Sequence, residues 1–238
     1  MKQNKYKYIA HSENSNGEEQ SMKQHSEGVA ELMKSFALAD DFAEIYSYCG
    51  LLHDIGKYSK EFQNYIRSRG EKEPHAKWGA YMAMSKNVAF PIIGHHAGLP
   101  NRDMLFKTLE QCAKDENRYN QIHQAMEEDD FIISTCENSS FNKIGDVFQK
   151  ELFVRLLYSA LVDADSLDTE RHFRKGQSDA RSCKILETLS RILCKWKQDS
   201  VVSLFLYLDS VFKNKHKLIH NQSPVMNRLC PFLLNLHK

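Results

Sequence analysis

The amino-acid sequence predicts an all-α protein. Its 238 residues include only 10 glycines and 5 prolines, whereas 42% are hydrophobic, so it has few of the turn residues that a many-stranded β fold requires. Apolar residues recur every three or four positions through several segments, which is the period of an amphipathic helix. A chain of this length can bury the core of one large domain or of two small ones.

Two helices are predicted in the first quarter of the chain, after a polar, aperiodic loop at 11–20. Ser21 and Gln24 have the spacing of a capping box, and the apolar stripe that follows predicts a helix ending near Phe36. Asp40 can cap a second helix that runs to Leu52.

The same periodicity predicts further helices to the end of the chain. An apolar run at 88–93 is compatible with a helix or a strand. The other segments are 59–68, 75–85, a polar and interrupted stretch at 101–128, a strongly apolar helix at 145–169, and two basic helices at 178–197 and 200–213.

Charge is distributed unevenly along the chain. Residues 171–238 hold 13 lysines and arginines against 4 acidic residues, a balance of +9, and the first 170 residues have a balance of −8. A basic third suits a polyanionic partner, although a solvated lysine-rich helical face fits equally well. We predict three parts: a core at 1–175, a basic helical part packed on it at 176–220, and a linker or tail at 221–238.

Several features favour a cytoplasmic protein without a membrane span. The first residues contain no apolar leader, and no run of 18 apolar residues occurs. The six cysteines are scattered without a C-x-x-C pair, which is typical of reduced thiols.

A histidine and an aspartate stand side by side at the end of the second predicted helix, as His53 and Asp54, before Gly56 lets the chain leave the helix. Both side chains are ligands for divalent transition metals. Because adjacent helical residues point about 100° apart, both can reach one ion only near a helix end or where partners converge from other helices. Further candidates lie at other predicted helix ends, and together they suggest a polynuclear metal site: His25, His75, His95, His96, and Asp163 or Asp165.

Seven motifs occur in an order that resembles one known family. They are Ala-His-Ser (10–12), Gln-His (24–25), Gly-Leu-Leu-His-Asp-Ile-Gly-Lys (50–57), Phe-Gln-x-Tyr (62–65), a histidine before Gly-Ala (75, 79–80), Gly-His-His-x-Gly (94–98), and Arg-x-x-x-Ser-Ala-Leu-Val-Asp-Ala-Asp (155–165). Over about residues 8–173 the chain resembles the HD superfamily of metal-dependent phosphohydrolases. In particular it resembles the CRISPR-associated HD nuclease of type I interference systems, which implies a helical bundle with the metal site between central helices.

The resemblance also implies a ligand set. Asp54 would be shared between two ions, with His25, His53 and Asp165 completing the first site; Asp163 is the alternative to Asp165. The second site would comprise His75, His95 and His96. Lys57 would lie near the scissile phosphate, unless it is a solvated lysine after a turn. The histidines that match no ligand position are His11, His123, His172, His216, His220 and His237.

The activity implied is hydrolysis of phosphodiester bonds in single-stranded DNA by a water activated by two ions. Mixed imidazole and carboxylate ligation favours Mn, Fe, Co or Ni over Mg or Zn as the ion. The implied partners are a superfamily 2 helicase and a CRISPR guide-RNA surveillance complex. Because the chain contains no G-x-x-x-x-G-K-[ST] motif, the helicase would be a separate polypeptide or a following domain.

Two other functions fit an HD-like sequence. One is a phosphohydrolase that acts on a small nucleotide, and the other is a non-catalytic domain that docks a helicase or guide complex. The motifs at 94–98 and 159–165 favour the nuclease over the first alternative, and the complete ligand set argues against the second. The acidic run at 127–130 is interpreted as solvated surface, with metal binding as the less favoured alternative.

Overall fold

The computed structural model describes residues 5–174 except 38, 69, 84, 135–143 and 145, and this part of the chain folds mostly into helices. The two strands of a small antiparallel sheet are β1 (Ile9–His11) and β2 (Gln20–Ser21). The α-helices are α1 (Met22–Ser35), α2 (Ala43–Leu52), α3 (Lys60–Ile66), α4 (Ala76–Met82), α5 (Lys86–Gly94), α6 (Arg102–Ala113), α7 (Glu116–Glu128) and α8 (Val147–Phe173). Short 3₁₀ helices occupy Asp40–Phe42 and Ile55–Tyr58. The all-α prediction is confirmed.

Polar side chains at the helix starts set the boundaries of several helices. Ser21 accepts a hydrogen bond from the backbone N–H of Gln24, and the Gln24 side chain accepts one from the backbone N–H of Ser21. This is the predicted capping box. The long polar segment is divided because Asp115 caps a new helix through the backbone N–H of Arg118. The ambiguous apolar run is helical in α5, which includes Pro91.

The strand pair at the N-terminus was not predicted. Ile9 pairs with Ser21, and the buried side chain of Gln63 holds the same strand from α3. Gln63 Nε2 donates to the Ile9 carbonyl at 3.0 Å, and Gln63 Oε1 accepts from the Ile9 N–H at 3.1 Å. Strands of two and three residues are too short for an alternating pattern, and an amide 54 positions away leaves no local signal.

The core lies where α1 packs against α2 and α8, with α5 packed against α8 and α4. Apolar side chains of these helices are removed from solvent, and burial of this kind is the main favourable term in folding. They include Val29, Met33, Leu52, Ile92, Leu157 and Leu161. The polar residues discussed below lie among these same helices.

All described residues belong to one compact unit, Met1–Lys175. The predicted basic helices at 178–197 and 200–213, and the predicted parts at 176–220 and 221–238, lie outside the residues that the structure describes. Among the helices it does describe, none combines the length and apolar character that a membrane span needs.

Candidate metal centre

The His-Asp pair stands where α2 ends. His53 keeps helical backbone angles as the C-terminal cap, whereas Asp54 has φ −117° and ψ 10° and turns the chain out of the helix. The change of direction lets two adjacent side chains converge, and His53 Nε2 lies 3.3 Å from Asp54 Oδ2. A regular helix would separate them by about 100°.

Asp54 is fully buried, and its two oxygens face different groups of histidines. Oδ2 lies 3.3 Å from His25 Nε2 and 3.3 Å from His53 Nε2. Oδ1 lies 3.0 Å from His75 Nε2 and 3.4 Å from His95 Nε2. The carboxylate therefore stands between two sets of potential ligands and can serve both.

Two clusters in the described part of the chain have the composition of metal sites. In each, one ligand atom per residue lies within 4.8 Å of all the others. The first cluster comprises His25, His53, Asp54 and Asp165, and the second comprises Asp54, His75, His95 and His96.

The spacing of the donor atoms suits a transition metal. Ion–nitrogen and ion–oxygen bonds of ~2.0–2.1 Å place neighbouring ligand atoms roughly 2.8–3.4 Å apart in octahedral or tetrahedral coordination. The Nε2 atoms of His75 and His96 are 2.8 Å apart, and His25 Nε2 is 3.4 Å from Asp165 Oδ1. The separation of His53 Nε2 from Asp165 Oδ1, 3.8 Å, is the longest in the first cluster among the ion-pair contacts.

Helix ends orient two of the imidazole rings. His53 Nδ1 donates to the Gly50 carbonyl at 2.7 Å, and His95 Nδ1 donates to the Ile92 carbonyl at 2.6 Å. A carbonyl oxygen only accepts, so Nδ1 carries the proton and Nε2 presents its lone pair to the cluster when the ring is neutral. The last carbonyls of a helix have few partners within it, so the Gly50 and Ile92 carbonyls are free to accept a bond from an imidazole, and that bond aims the ligand.

Several buried polar atoms at the centre have no hydrogen-bond partner. Their contacts with one another are close enough for ion pairs but are not directed as hydrogen bonds. They are the Nε2 atoms of His25, His53 and His95 and Oδ1 of Asp54, whereas Oδ2 of Asp54 also has an ion pair with Lys57. Unsatisfied buried polar atoms are costly and rare. A divalent cation would satisfy these atoms, so the residues of the clusters fit metal binding.

The first cluster strongly favours positive charge. Burial lowers the pKa of His25, but the close carboxylates of Asp165, Asp168 and Asp54 outweigh it and raise that pKa to about 10. Burial also lowers the pKa of His53, but Asp54 and Asp165 outweigh it and raise that pKa to about 9. Burial would raise the pKa of Asp54, yet His53, Lys57 and His75 hold it well below its ordinary value. Carboxylates packed this closely require cationic partners.

The second cluster holds one carboxylate instead of two. Burial, followed by the charge of neighbouring His95, lowers the pKa of His96 to about 4. Its imidazole is therefore neutral at pH 7, which is the form that binds a metal. The approach of His75 depends on Gly56, where a Cβ would lie 2.1 Å from the His75 carbonyl oxygen. Gly56 is thus required for close packing; positive φ occurs at Gly17 and Gly98 instead.

Lys57 lies inside the centre. It is 5% exposed, and its Nζ is 2.7 Å from Asp54 Oδ2 and 3.4 Å from the carbonyl of Ala10. The alternative of a solvated lysine therefore does not hold. Its backbone carbonyl accepts from Gln63 Nε2 at 2.8 Å, so one buried amide ties both β1 and the Lys57 turn to α3.

The structure brings together all seven residues predicted as metal ligands, from helices α1, α2, α4, α5 and α8 and the turns that adjoin them. Of the two candidates on α8, Asp165 is in the first cluster, whereas Asp163 is buried on the same helix and is in neither cluster. In the acidic run, Asp129 accepts from Tyr58 Oη at 2.7 Å, and this run is not part of either cluster.

The histidines without a predicted ligand role are placed as follows. The ring of His11 stands edge-on to that of His25 with centroids 4.7 Å apart, His123 pairs with Glu127 on the exposed face of α7, and His172 Nε2 donates to the Ser12 carbonyl. His216, His220 and His237 lie outside the described residues.

One residue at the centre was missed from the sequence. Asp168 contacts His25 Nδ1 through Oδ2 at 2.8 Å. Asp165 and Asp168 are three positions apart, so they share one face of α8. That spacing was a usable signal, since two carboxylates one turn apart can serve the same buried cluster.

Part of the chain is similar to a known protein family. Residues 22–128 match the family model described as HD domain. The matched segment contains every residue of the two clusters except Asp165, which α8 supplies from outside it. No curated protein matches the chain. The chain is therefore similar to HD domains over a little less than half of its length, and the two His/Asp clusters could hold metal ions.

Proposed function

We propose that this chain is a metal-dependent nuclease that hydrolyses phosphodiester bonds of single-stranded DNA in CRISPR type I interference. The observation that carries the proposal is the pair of clusters that share Asp54, with Oδ2 facing the first and Oδ1 facing the second. The choice of nucleic acid over other phosphate esters is supported by the seven motifs in order and by the basic third at 171–238.

The residues of the centre suit phosphodiester hydrolysis. When bound, two divalent ions supply positive charge for the phosphate and favour ionisation of a water. Asp54 would hold both, His25, His53 and Asp165 would complete the first site, and His75, His95 and His96 the second. We favour Mn, Fe, Co or Ni over Mg because most of the ligands are imidazoles, whereas Mg²⁺ prefers oxygen ligands. The preference over Zn is part of the same proposal.

Lys57 is assigned a role in catalysis alongside Asp54. Its ammonium group is buried 2.7 Å from Asp54 Oδ2, so a phosphate held at the clusters would meet a fixed positive charge in a site with little water. Preorganised charge in such a site stabilises the negative charge that develops in the transition state. The charge of a solvent-exposed lysine would be screened by salt and would stabilise the transition state less.

The proposed partners follow from the substrate. A nuclease for displaced single strands needs a motor and a guide complex, and we assign these roles to a superfamily 2 helicase, in cis or in trans, and to a CRISPR guide-RNA surveillance complex. Phosphates are the feature common to all target sequences, so binding through the basic third requires no base recognition.

The test is a substrate panel offered to protein loaded with Mn²⁺, Co²⁺ or Ni²⁺ in turn. We expect cleavage of labelled single-stranded DNA, with less or no cleavage of duplex DNA and RNA and none of mononucleotides and cyclic dinucleotides. Hydrolysis confined to small nucleotides would replace the nuclease by a nucleotide phosphohydrolase. Ions bound without hydrolysis of any substrate would favour the docking domain.

The basic third gives a separate prediction. In a variant that combines Lys213→Glu, Lys215→Glu and Lys217→Glu, we expect weaker binding of single-stranded DNA and a shallower dependence of affinity on salt, because each phosphate contact contributes about 0.7 to the logarithmic slope. Affinity is measured across a salt series. If neither affinity nor slope changes, these three lysines do not contact DNA, and the basic third has another role, such as docking the helicase or the guide complex.

A further inference from the structure

Asp168 belongs to neither cluster but is built into the wall of the first one. It lies on α8 with 4% of its surface exposed. Its Oδ2 is 2.8 Å from His25 Nδ1, and Gln20 Nε2 donates to the same oxygen at 2.7 Å. The carboxylate thus joins β2, through Gln20, to a histidine of α1.

The space for this carboxylate depends on Gly28, one turn after His25 in α1. A Cβ at position 28 would lie 2.4 Å from Asp168 Oδ1 and 3.2 Å from its Cγ. Such a separation is far shorter than a van der Waals contact, so any side chain there would displace the carboxylate. Helix α1 therefore provides both the ring that Asp168 contacts and the gap that admits it.

The contact decides which nitrogen of His25 faces the cluster. An ionised carboxylate only accepts, so the proton of a neutral His25 ring sits on Nδ1 and its lone pair sits on Nε2. Nε2 is the atom that faces Asp54 at 3.3 Å and Asp165 at 3.4 Å. Whereas His53 and His95 are oriented by helix-end carbonyls, His25 lies in the first turn of its helix, where no such carbonyl is available, and a side chain from α8 takes that role.

We infer that Asp168 is a positioning residue for the first metal site, which fixes the tautomer and the orientation of His25, with Gln20 fixing the carboxylate in turn. Helix α8 then supplies both the ligand Asp165 and, one turn later, the group that orients a second ligand. The inference rests on the proposed function only in taking the first cluster as a metal site, and it is independent of the substrate.

The test uses Co²⁺ as probe and its visible absorption as readout. A background that combines His75→Ala with His96→Ala leaves only Asp54 and His95 in the second cluster, so that Co²⁺ reports on the first cluster. In that background we expect Asp168→Ala to weaken Co²⁺ binding by about 10–100-fold, as loss of the group that orients a metal-binding histidine does elsewhere. The Co²⁺ affinity of Asp168→Asn should lie between those of Asp168→Ala and the background, because the amide oxygen of asparagine can still accept a hydrogen bond from His25 Nδ1. Asp163→Asn, a buried carboxylate of the same helix outside the clusters, should bind Co²⁺ as the background does.

A second variant reaches the same contact from α1. Gly28→Ala should reproduce much of the Asp168→Ala effect, since its Cβ must displace Asp168. In Zn²⁺-loaded protein, imidazole ¹⁵N shifts should show His25 protonated at Nδ1 in wild type and a mixture of tautomers in Asp168→Ala. If Asp168→Ala does not fold, Asp168→Asn and Gly28→Ala carry the comparison.

The outcomes separate this inference from the proposed function. Co²⁺ affinity within threefold of the background in folded Asp168→Ala, or an unchanged tautomer, would overturn the role of Asp168 alone. Weakened binding in a protein that cleaves no nucleic acid would support Asp168 while the nuclease proposal fails. Wild-type protein that binds no ion at the first cluster would overturn both.

Discussion

Replacing Asp54 by asparagine keeps the size of the side chain and removes its charge and one of its two oxygens. The wild-type carboxylate presents Oδ2 to His25 and His53 and Oδ1 to His75 and His95. An amide can turn its oxygen to only one of these groups, and its NH₂ group cannot bind a metal. At least one cluster must therefore lose a ligand, and both lose the charge of a shared carboxylate.

The size of the expected loss in rate follows from the number of ligands that remain in each cluster. The second cluster would consist of three imidazoles without an anionic ligand, and the first would keep Asp165 as its one carboxylate. Loss of one ion from a two-ion centre removes several kcal/mol of transition-state stabilisation. At 1.36 kcal/mol per tenfold change, a loss of about 4 kcal/mol lowers kcat about 10³-fold. We therefore expect at most one bound ion per chain and a rate reduced at least to that extent.

The assay combines metal content by mass spectrometry with cleavage of labelled single-stranded DNA under single-turnover conditions. Circular dichroism should show unchanged helix content, because the imidazoles around position 54 can lose protons when the carboxylate is gone. Glu127→Gln, the same chemical change on the exposed face of α7, is the matched control and should behave as wild type. An Asp54→Asn protein with two ions and a rate within tenfold of wild type would refute a bridging role.

Three further predictions concern the first cluster. Asp165→Asn should lose the ion of the first cluster and most of the activity, whereas Asp163→Asn should retain both. Metal analysis and cleavage rates measure the two effects. The reverse result would show that α8 presents Asp163 to the cluster. Despite burial, the pKa values of His25 and His53 are raised to about 10 and about 9. At pH 7, metal binding to chelator-treated protein should therefore release about two protons, and the affinity for metal should rise with pH. Calorimetry in buffers of different ionisation enthalpy measures both. Both folded pKa values lie above the ordinary 6.5, so the two histidines stabilise the metal-free protein fully below pH 6.5, and this stabilisation is lost as pH rises through about 9 to 10. A melting temperature that does not fall between pH 9 and 10 would contradict the contacts assigned to His25 and His53.

Features encoded in neighbouring residues were predicted well. The capping box at Ser21 and the existence of α8 follow from spacing and periodicity within a few turns of helix. The strand pair at Ile9 was missed because its hydrogen bonds come from β2 and from Gln63 on α3. Contacts across such distances leave no trace in a local pattern.

By itself, the sequence determined that the protein is helical and which side chains could bind metal, since ligand chemistry and helix periodicity belong to residue types and their spacing. It left Asp163 and Asp165 as alternatives and gave Lys57 two possible environments. The packing of α8 against α1 places Asp165, and not Asp163, in the cluster beside His25. The turn after α2 buries Lys57 against Asp54 instead of leaving it in solvent. The direction in which a side chain points depends on helices that meet only in three dimensions, and for that reason only the tertiary structure revealed Asp168 behind His25.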